Sequence, residues 1–444
     1  MGVEFAPVDA GTPNGRWETY PDYKDSGVEW MGEIPVDWDK IRLKMLVNLI
    51  NQKAGSEDLR YIGLENIESL TGNIIETDVS PEGIANLFGS NDVLFGKLRP
   101  YLSKVLMPDF EGRCTSELLV LRPKIITRHF LFYCCLSNQF IKIVNSSTYG
   151  AKMPRASWDF IGNMVISCPP DDEQRAIAAF LDRKTAHIDI LISKKERLII
   201  LLQEKRAALI SYAVTKGLDP NVPMKYSGVE WLGEIPAHWQ VQKLKHICSL
   251  LRDGTHQPPS RTETGIPLLS VRNIVDGQFI NLPDDSLISE KDFKILQHSF
   301  EVKINDVLLA IVGATIGKIA VVKEMPSFAI QRSLAVFRPI QNITNYRYLS
   351  FFFQSLKFQQ LLWSNVSFSA QPGIYLGMLA NFYSTIPDRI EQHAIVAFLE
   401  CETAKLDDLT AKIQEAIKTL QEYRTALISA AVTGKIDVRN ENRN

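Results

Sequence analysis

Two stretches of this chain repeat apolar positions in alternating steps of three and four. One runs through Leu406, Leu409, Ile413, Ala416, Leu420, Tyr423, Leu427 and Ala430. The other runs through Ile188, Leu191, Lys195, Leu198, Leu202, Lys205, Leu209 and Tyr212. Such spacing puts the apolar side chains on one stripe of an α-helix, the a/d seam of a coiled coil. Lys195 and Lys205 interrupt the first seam. They either set register or partner choice at some cost in stability, or lay solvated stems along a frayed seam. Each helix is predicted to run roughly 40 residues, about 60 Å at 1.5 Å per residue. Neither contains Pro, and "KGLDPNVP" at 216–223 closes the first with Gly and Pro. Elsewhere, short β-branched runs such as "KIAVV" at 318–322, punctuated by Gly, Pro and Asn, predict strands and turns with a few helices.

The two helical stretches are copies. "EQRAIAAFLDRKTAHID" from Glu173 matches "EQHAIVAFLECETAKLD" from Glu391, and "QEKRAALISYAVT" at 203 matches "QEYRTALISAAVT" at 421, both at an offset of 218. A second phrase, "SGVEWMGEIP" from Ser26, returns as "SGVEWLGEIP" from Ser227, each with a Trp three positions later (Trp38, Trp239). The chain is therefore two half-copies, each ordered as phrase, variable block, helical block. The blocks share only scraps: "ENI" at 65 against "RNI" at 272, "NDVL" at 91 and 305, and "LLVLRP" at 118 against "LAVFRP" at 334.

Two exposed seams should pack on each other. The second helix, starting beside the second block, can cover the first only by running back, so the pair is expected to be antiparallel with a block at either end. The fold class predicted is α+β: two globular α/β domains joined by a pair of long antiparallel coiled-coil helices, with a pseudo-twofold internal repeat. The boundaries expected are a flexible tail at 1–21, the first block with its clasp at 22–168, and the first helix at 169–218. The second block with its clasp follows at 219–385, the second helix at 386–438, and a tail at 439–444.

Composition narrows the class without naming a function. At 444 residues, 45% hydrophobic and 23% charged, the chain has room for several cores. A formal net charge of −2 argues against a coating mode of nucleic-acid binding, though not against reading through local surfaces. The six cysteines form no C-x-x-C pair, the leading residues have no apolar core of a signal peptide, and "FLFYCCL" at 130–136 is too short to span a bilayer. A cytoplasmic protein is expected.

Enzymatic motifs fail on inspection. "GATIGKI" at 313–319 has three residues between its glycines where a P-loop has four, and Ile319 where Ser or Thr would meet Mg²⁺. "HQPPS" at 256–260 lacks the leading Asp or Asn and the aromatic of an adenine methyltransferase motif. No His/Cys spacing suits zinc. Pro283–Asp284 with Glu301 and Lys303 fits a permissive Mg²⁺ nuclease pattern, and Asp284, Glu301 and Lys303 are kept as an alternative. "FEVKINDVLLA" reads more simply as a strand entering a turn.

For DNA contact, loops rather than single residues stand out. In the first block "GKLRPYLSK" carries Lys97, Arg99, Tyr101 and Lys104, and "YGAKMPRAS" carries Lys152 and Arg155. In the second, "RDGTHQPPSR" carries Arg252, Thr255, His256 and Arg261, joined by Arg272, Lys318, Arg332 and Gln371. These side chains suit base edges and phosphates. Trp30, Trp38, Trp231 and Trp239 sit in a W-x-G-E-I-P-x-x-W frame that reads as a clasp fastening each block to the helices.

"SGVEWLGEIPAHW", a variable block, and then "EQ-x-x-I-x-x-FL…T…LISAAVTGKID" resemble the specificity subunit of type I restriction-modification systems. The likeness spans residues 22–438, in both copies and in order. It implies two target recognition domains, each binding one half of an asymmetric bipartite DNA site. The paired helices would be a ruler, with half-sites about one helical turn, ~34–36 Å, apart. It further implies docking of two modification subunits and of restriction subunits, with adenine N6 methylation or ATP-dependent cleavage as their chemistry. S-adenosylmethionine, ATP and Mg²⁺ would then sit on partners, and this chain would hold no cofactor and no catalytic residue. A subunit serving a methyltransferase without a restriction partner fits equally. "RDGTH" and "KLRPYLSK" resemble phrases recurrent in such recognition domains.

Overall fold

The computed structural model describes residues 17–54, 58–77, 85–257, 259–367 and 372–441. The chain divides into two compact units, residues 1–196 with 414–444, and residues 197–413. Each unit holds one block together with part of both long helices, Asp171–Lys216 and Arg389–Val432.

In both units the helical segments run antiparallel. In the first, Arg183 donates to the carbonyl of Glu441 and Arg424 grips Asp189. In the second, Thr385 donates to the carbonyl of Val214 and Arg206 grips Asp407. The inward stripe follows 188, 192, 195, 199, 202 and 206 on the first helix and 406, 410, 413, 417, 420 and 424 on the second, all buried or half-buried. Of the seam read from sequence, Ile188, Leu202, Ile413 and Leu427 are buried, and Leu191, Leu209, Leu406 and Leu420 half-buried. Leu198 and Leu409 are exposed. The expected seam is thus corrected at every second position by one residue. Leu191–Ile192 and Leu198–Ile199 are apolar pairs, so spacing alone does not choose between a 3-4 and a 4-3 stagger. Lys195 stays half-buried on the stripe, while Lys205 points out and Arg206 takes the inward place.

The blocks share one framework. The first has a four-stranded antiparallel sheet ordered Val47–Ile50, Leu118–Pro123, Val93–Gly96, Val105–Leu106. The second repeats it as Cys248–Asp253, Leu334–Pro339, Val307–Ala310, Ile319–Val321 and extends it by two short strands. A three-stranded sheet with one parallel pair accompanies each: Tyr61–Ile62 beside Gly112–Thr115, and Ile266–Leu269 beside Ala329–Ile330. Two short helices follow, Arg128–Leu136 and Asn138–Ser146 in the first block, Tyr346–Gln354 and Leu356–Ser364 in the second.

The scraps shared by the blocks are the clips of this framework. Asp92 of "NDVL" is fully buried and forks onto Arg122 at 2.7 and 2.8 Å; Asp306 forks onto Arg338 at 2.8 and 2.8 Å. Each also accepts a backbone N–H, from Gly89 and Lys303, because a buried carboxylate must fill its remaining lone pairs. Asn66 and Asn273 of "ENI" and "RNI" each fold back on a short helical turn, accepting from Gly63 and Ser270. At the base of each long helix, Gln174 and Gln392 accept from the backbone of Thr127 and Asn345, and donate to Pro169 and Pro387.

The twice-written phrase is a clasp. It forms a small hairpin, Tyr23–Asp25 with Glu33–Pro35, and again Met224–Tyr226 with Glu234–Pro236. Trp38 and Trp239 are completely buried behind it, where such a ring removes 150–250 Å² from water. Lys435 and Lys216, each at the end of a long helix, donate to the carbonyls of Glu33 and Glu234. The tail expected to be flexible at 1–21 is anchored in its described part: Trp17 meets Phe180 edge-on at 5.1 Å, and buried Tyr20 donates to Glu173. These contacts tie residues 17–20 to the first long helix.

Gly434 has φ +71 at this junction, and a Cβ there would fall 2.3 Å from Pro35 Cδ. Gly228 shares the left-handed backbone at φ +78 but faces open space. Gly228→Ala is expected to cost the backbone strain alone, about 1–2 kcal/mol. Gly434→Ala adds overpacking, about 1–3 kcal/mol more. Denaturant midpoints of the full chain measure the difference, and equal shifts would refute the clasp's tight closure.

Candidate nucleic-acid interface

In both blocks the hairpin of the main sheet ends in a loop that a second loop pins from the side. In the first block this is residues 97–104, between Val93–Gly96 and Val105–Leu106. Arg99 N–H donates to the Pro154 carbonyl at 2.8 Å and Ala156 N–H to Lys97 at 3.0 Å. In the second it is residues 311–318, where Gly313 N–H donates to Pro372 at 2.8 Å and Ile374 N–H to Ile311 at 3.0 Å. The backbone device is the same while the side chains differ: "KLRPYLSK" against "IVGATIGK". The sequence rejected above as a P-loop is therefore the counterpart of the basic loop.

The pinning gathers most first-block candidates. Lys97, Arg99, Tyr101, Lys152 and Arg155 lie on the two joined loops, with Arg99, Tyr101 and Lys152 exposed. Arg99 also donates to the Lys152 carbonyl. Arg155 lies against Glu117 at 3.1 Å, which holds its guanidinium firmly charged but half-committed to a neighbour. Lys104 turns inward instead. Its ammonium donates to the carbonyls of Leu64 and Ile67 at 2.6 and 2.9 Å, and burial lowers its pKa.

In the second block, residues 252–256 join the same neighbourhood through the backbone. Thr255 N–H donates to Ile330, Arg332 N–H to Thr255, and Ile311 N–H to Ser333. Thr255, His256, Lys318 and Arg332 thus share adjoining loops, with Arg252 near the end of the strand that leads into them. His256 pairs with Asp253 at 2.7 Å. Arg261 is exposed on the continuing loop, and Gln371 lies outside the described residues. Arg272 is held elsewhere, on Asp284 and Asp285 at 2.7 and 3.0 Å.

The residues of the nuclease pattern are engaged with other partners, and the structure gives that pattern no support. The Asp284 carboxylate is engaged by Arg272, which lowers its pKa, Glu301 accepts from Gln297, and Lys303 contributes its backbone N–H to Asp306. Among the described residues no group of three or more His, Cys, Asp or Glu side chains is placed to hold a metal ion. Sequence reasoning missed Arg206 and Arg424, the ion-paired arginines of the helix stripe; their shared offset of 218 was the available signal.

The type I restriction modification DNA specificity domain matches residues 35–199 and 236–419. This chain belongs to that family. Among relatives of the specificity-subunit family, the EcoBI specificity subunit of Escherichia coli is 27% identical over 69% of this chain and 65% of its own length. The MjaVIII specificity subunit of Methanocaldococcus jannaschii is 24% identical over 95% and 98%. A solved chain from a type I R-M system, studied for complex assembly and conformational transition, superposes with a TM-score of 0.70 at 19% identity, covering 90% of this chain and 98% of that one. It shares the fold of two α/β blocks and long helices. No helix among the described residues is long and apolar enough to cross a membrane.

The two lysines of the specificity-domain hairpin should separate in a stability assay. Lys104→Met leaves two carbonyls without their donor and is expected to cost about 1–3 kcal/mol. Lys97→Met should stay within about 0.5 kcal/mol, as for an ordinary surface change. Thermal or urea melts of the full chain check both, and equal effects would contradict Lys104's structural role.

Proposed function

We propose that this chain is the DNA-reading, non-catalytic subunit of a type I complex, each block recognising one half of an asymmetric bipartite site. The observation that carries this is the pair of equivalent pinned hairpin loops, built on one backbone plan and bearing different side chains. A common frame with divergent loops suits two unlike half-sites, since phosphate contacts position a protein while loop side chains specify bases. In the first block Lys97, Arg99 and Lys152 approach the backbone with Tyr101 beside them. In the second, Arg252, Thr255, His256, Lys318 and Arg332 form the reading surface, with Arg261 flanking it.

The partners are two modification subunits and, where the system cuts, restriction subunits. S-adenosylmethionine, ATP and Mg²⁺ belong on those partners, and the target adenine is flipped by the modification subunit rather than by this chain. The complex works in the cytoplasm.

Co-expression with the modification subunit encoded beside it, followed by long-read mapping of adenine methylation, tests this reading. One bipartite motif with a fixed gap should appear, and vanish when this chain is omitted. Exchanging only the second block for another should alter one half of the motif. Methylation without a bipartite motif, or unchanged by the exchange, would overturn the assignment. In the assembled complex, Arg99→Ala should reduce the slope of log affinity against log salt by about one.

A further inference from the structure

In the first unit a continuous run of bonds ties the long helices to the hairpin loop. Arg424, buried on the second long helix, donates through Nε and Nη2 to both carboxylate oxygens of Asp189 on the first, at 2.9 and 3.2 Å. Its Nη1 donates to the carbonyl of Leu70 at 2.8 Å. The N–H of Leu70 donates onward to the carbonyl of Ser103 at 3.2 Å. Ser103 closes the 97–104 loop, whose Lys97, Arg99 and Tyr101 form the first reading surface.

The links in this run hold backbone conformations that side chains resist. Leu70 has φ 71, Ser103 φ 50, and Arg99, at the loop's other shoulder, φ 50. Such residues persist only where the surroundings over-determine them. Here the guanidinium of Arg424 fixes one side. The ammonium of Lys104, seated on Leu64 and Ile67, fixes the other. Gly72, at φ +78, presses the same turn so close to the hairpin that a Cβ would lie 2.7 Å from the Val105 carbonyl.

The second copy has the same ion pair without the onward link. Arg206 and Asp407 are the offset-218 counterparts of Arg424 and Asp189, and they meet at 3.0 Å with their side chains 32% and 60% exposed. Among the described residues Arg206 donates to Asp407 alone. A pair this exposed contributes little and is screened by salt.

We propose that Arg424 is a positioning residue for DNA reading by the first block. It fixes the 97–104 hairpin to the helix pair, so that first half-site selectivity depends on the helices in a way the second does not. This rests on the reading of those loops as the DNA surface, and the experiment keeps the two claims apart.

Arg424→Met removes the clamp. Leu70→Pro leaves the ion pair but abolishes the relay, because Pro has no N–H and cannot adopt positive φ. Arg206→Met is the control. In the isolated full chain, hydrogen exchange of residues 97–104 should quicken in the first two variants and stay unchanged in the control, with residues 311–318 unaffected in all three. This result needs no DNA. In the assembled complex, competition with single-mismatch duplexes of the mapped motif should show discrimination in the first half-site falling about tenfold in both variants. Second half-site discrimination should hold. Unchanged exchange overturns the relay. Faster exchange with intact discrimination, or equal loss in both half-sites, overturns Arg424 as a positioning residue for reading.

Discussion

The structure depends on burying one narrow apolar stripe on each of two long helices. A single such helix in water gains little beyond its own hydrogen bonds, and most helical stability in proteins comes from packing an amphipathic face. Ile188, Leu202, Ile413 and Leu427 bury that face. The stripe is not wholly apolar: Thr185, Thr403 and Arg424 are buried on it, and Arg206 is half-buried. The threonines satisfy themselves by donating to the carbonyl one turn back, at Leu181 and Leu399. The arginines need partners, and each finds an Asp on the other helix. A one-residue slip of either helix would leave a guanidinium without its carboxylate, which in the buried pair leaves an unpaired charge. The buried Arg424–Asp189 pair therefore acts on register more than on net stability.

Duplication explains why so few residues recur between the blocks. What recurs is what the backbone needs. The Asp92–Arg122 and Asp306–Arg338 forks hold the turn before the central strand to its neighbour, and the Asn66 and Asn273 turns close a helical corner. The Gln174 and Gln392 side chains fasten each long helix to its block. Those groups answer to hydrogen-bond geometry that any ligand would leave unchanged. The loops beyond them answer to the partner, so they are free to diverge. That division suits a specificity subunit, in which the frame sets where loops stand and the loops decide what they read.

Much of this was legible in sequence. Two copies, two helices, the clasp and the order of blocks all follow from repeats and from helical periodicity, because burial of a stripe imposes its period on the residues that form it. Other features had no local signature. Leu191 and Ile192, or Leu198 and Ile199, are equally apolar, so the face each helix turns inward depended on what lay across from it. Lys104 and Lys97 look alike in "KLRPYLSK", yet Lys104 reaches in to the carbonyls of Leu64 and Ile67.

Sequence by itself determined the duplicated plan and its family, since periodicity and repetition are properties of a line of residues. Tertiary structure alone decided which charges became structural. Arg155 met Glu117, Arg272 met Asp284 and Asp285, and Arg424 met Asp189 together with the Leu70 carbonyl. These partners lie 12 to 354 positions away along the chain. The physical reason is that an ionised group is defined by its neighbours in space. Whether a guanidinium is left for a phosphate or committed to a carboxylate is settled only when the chain has folded.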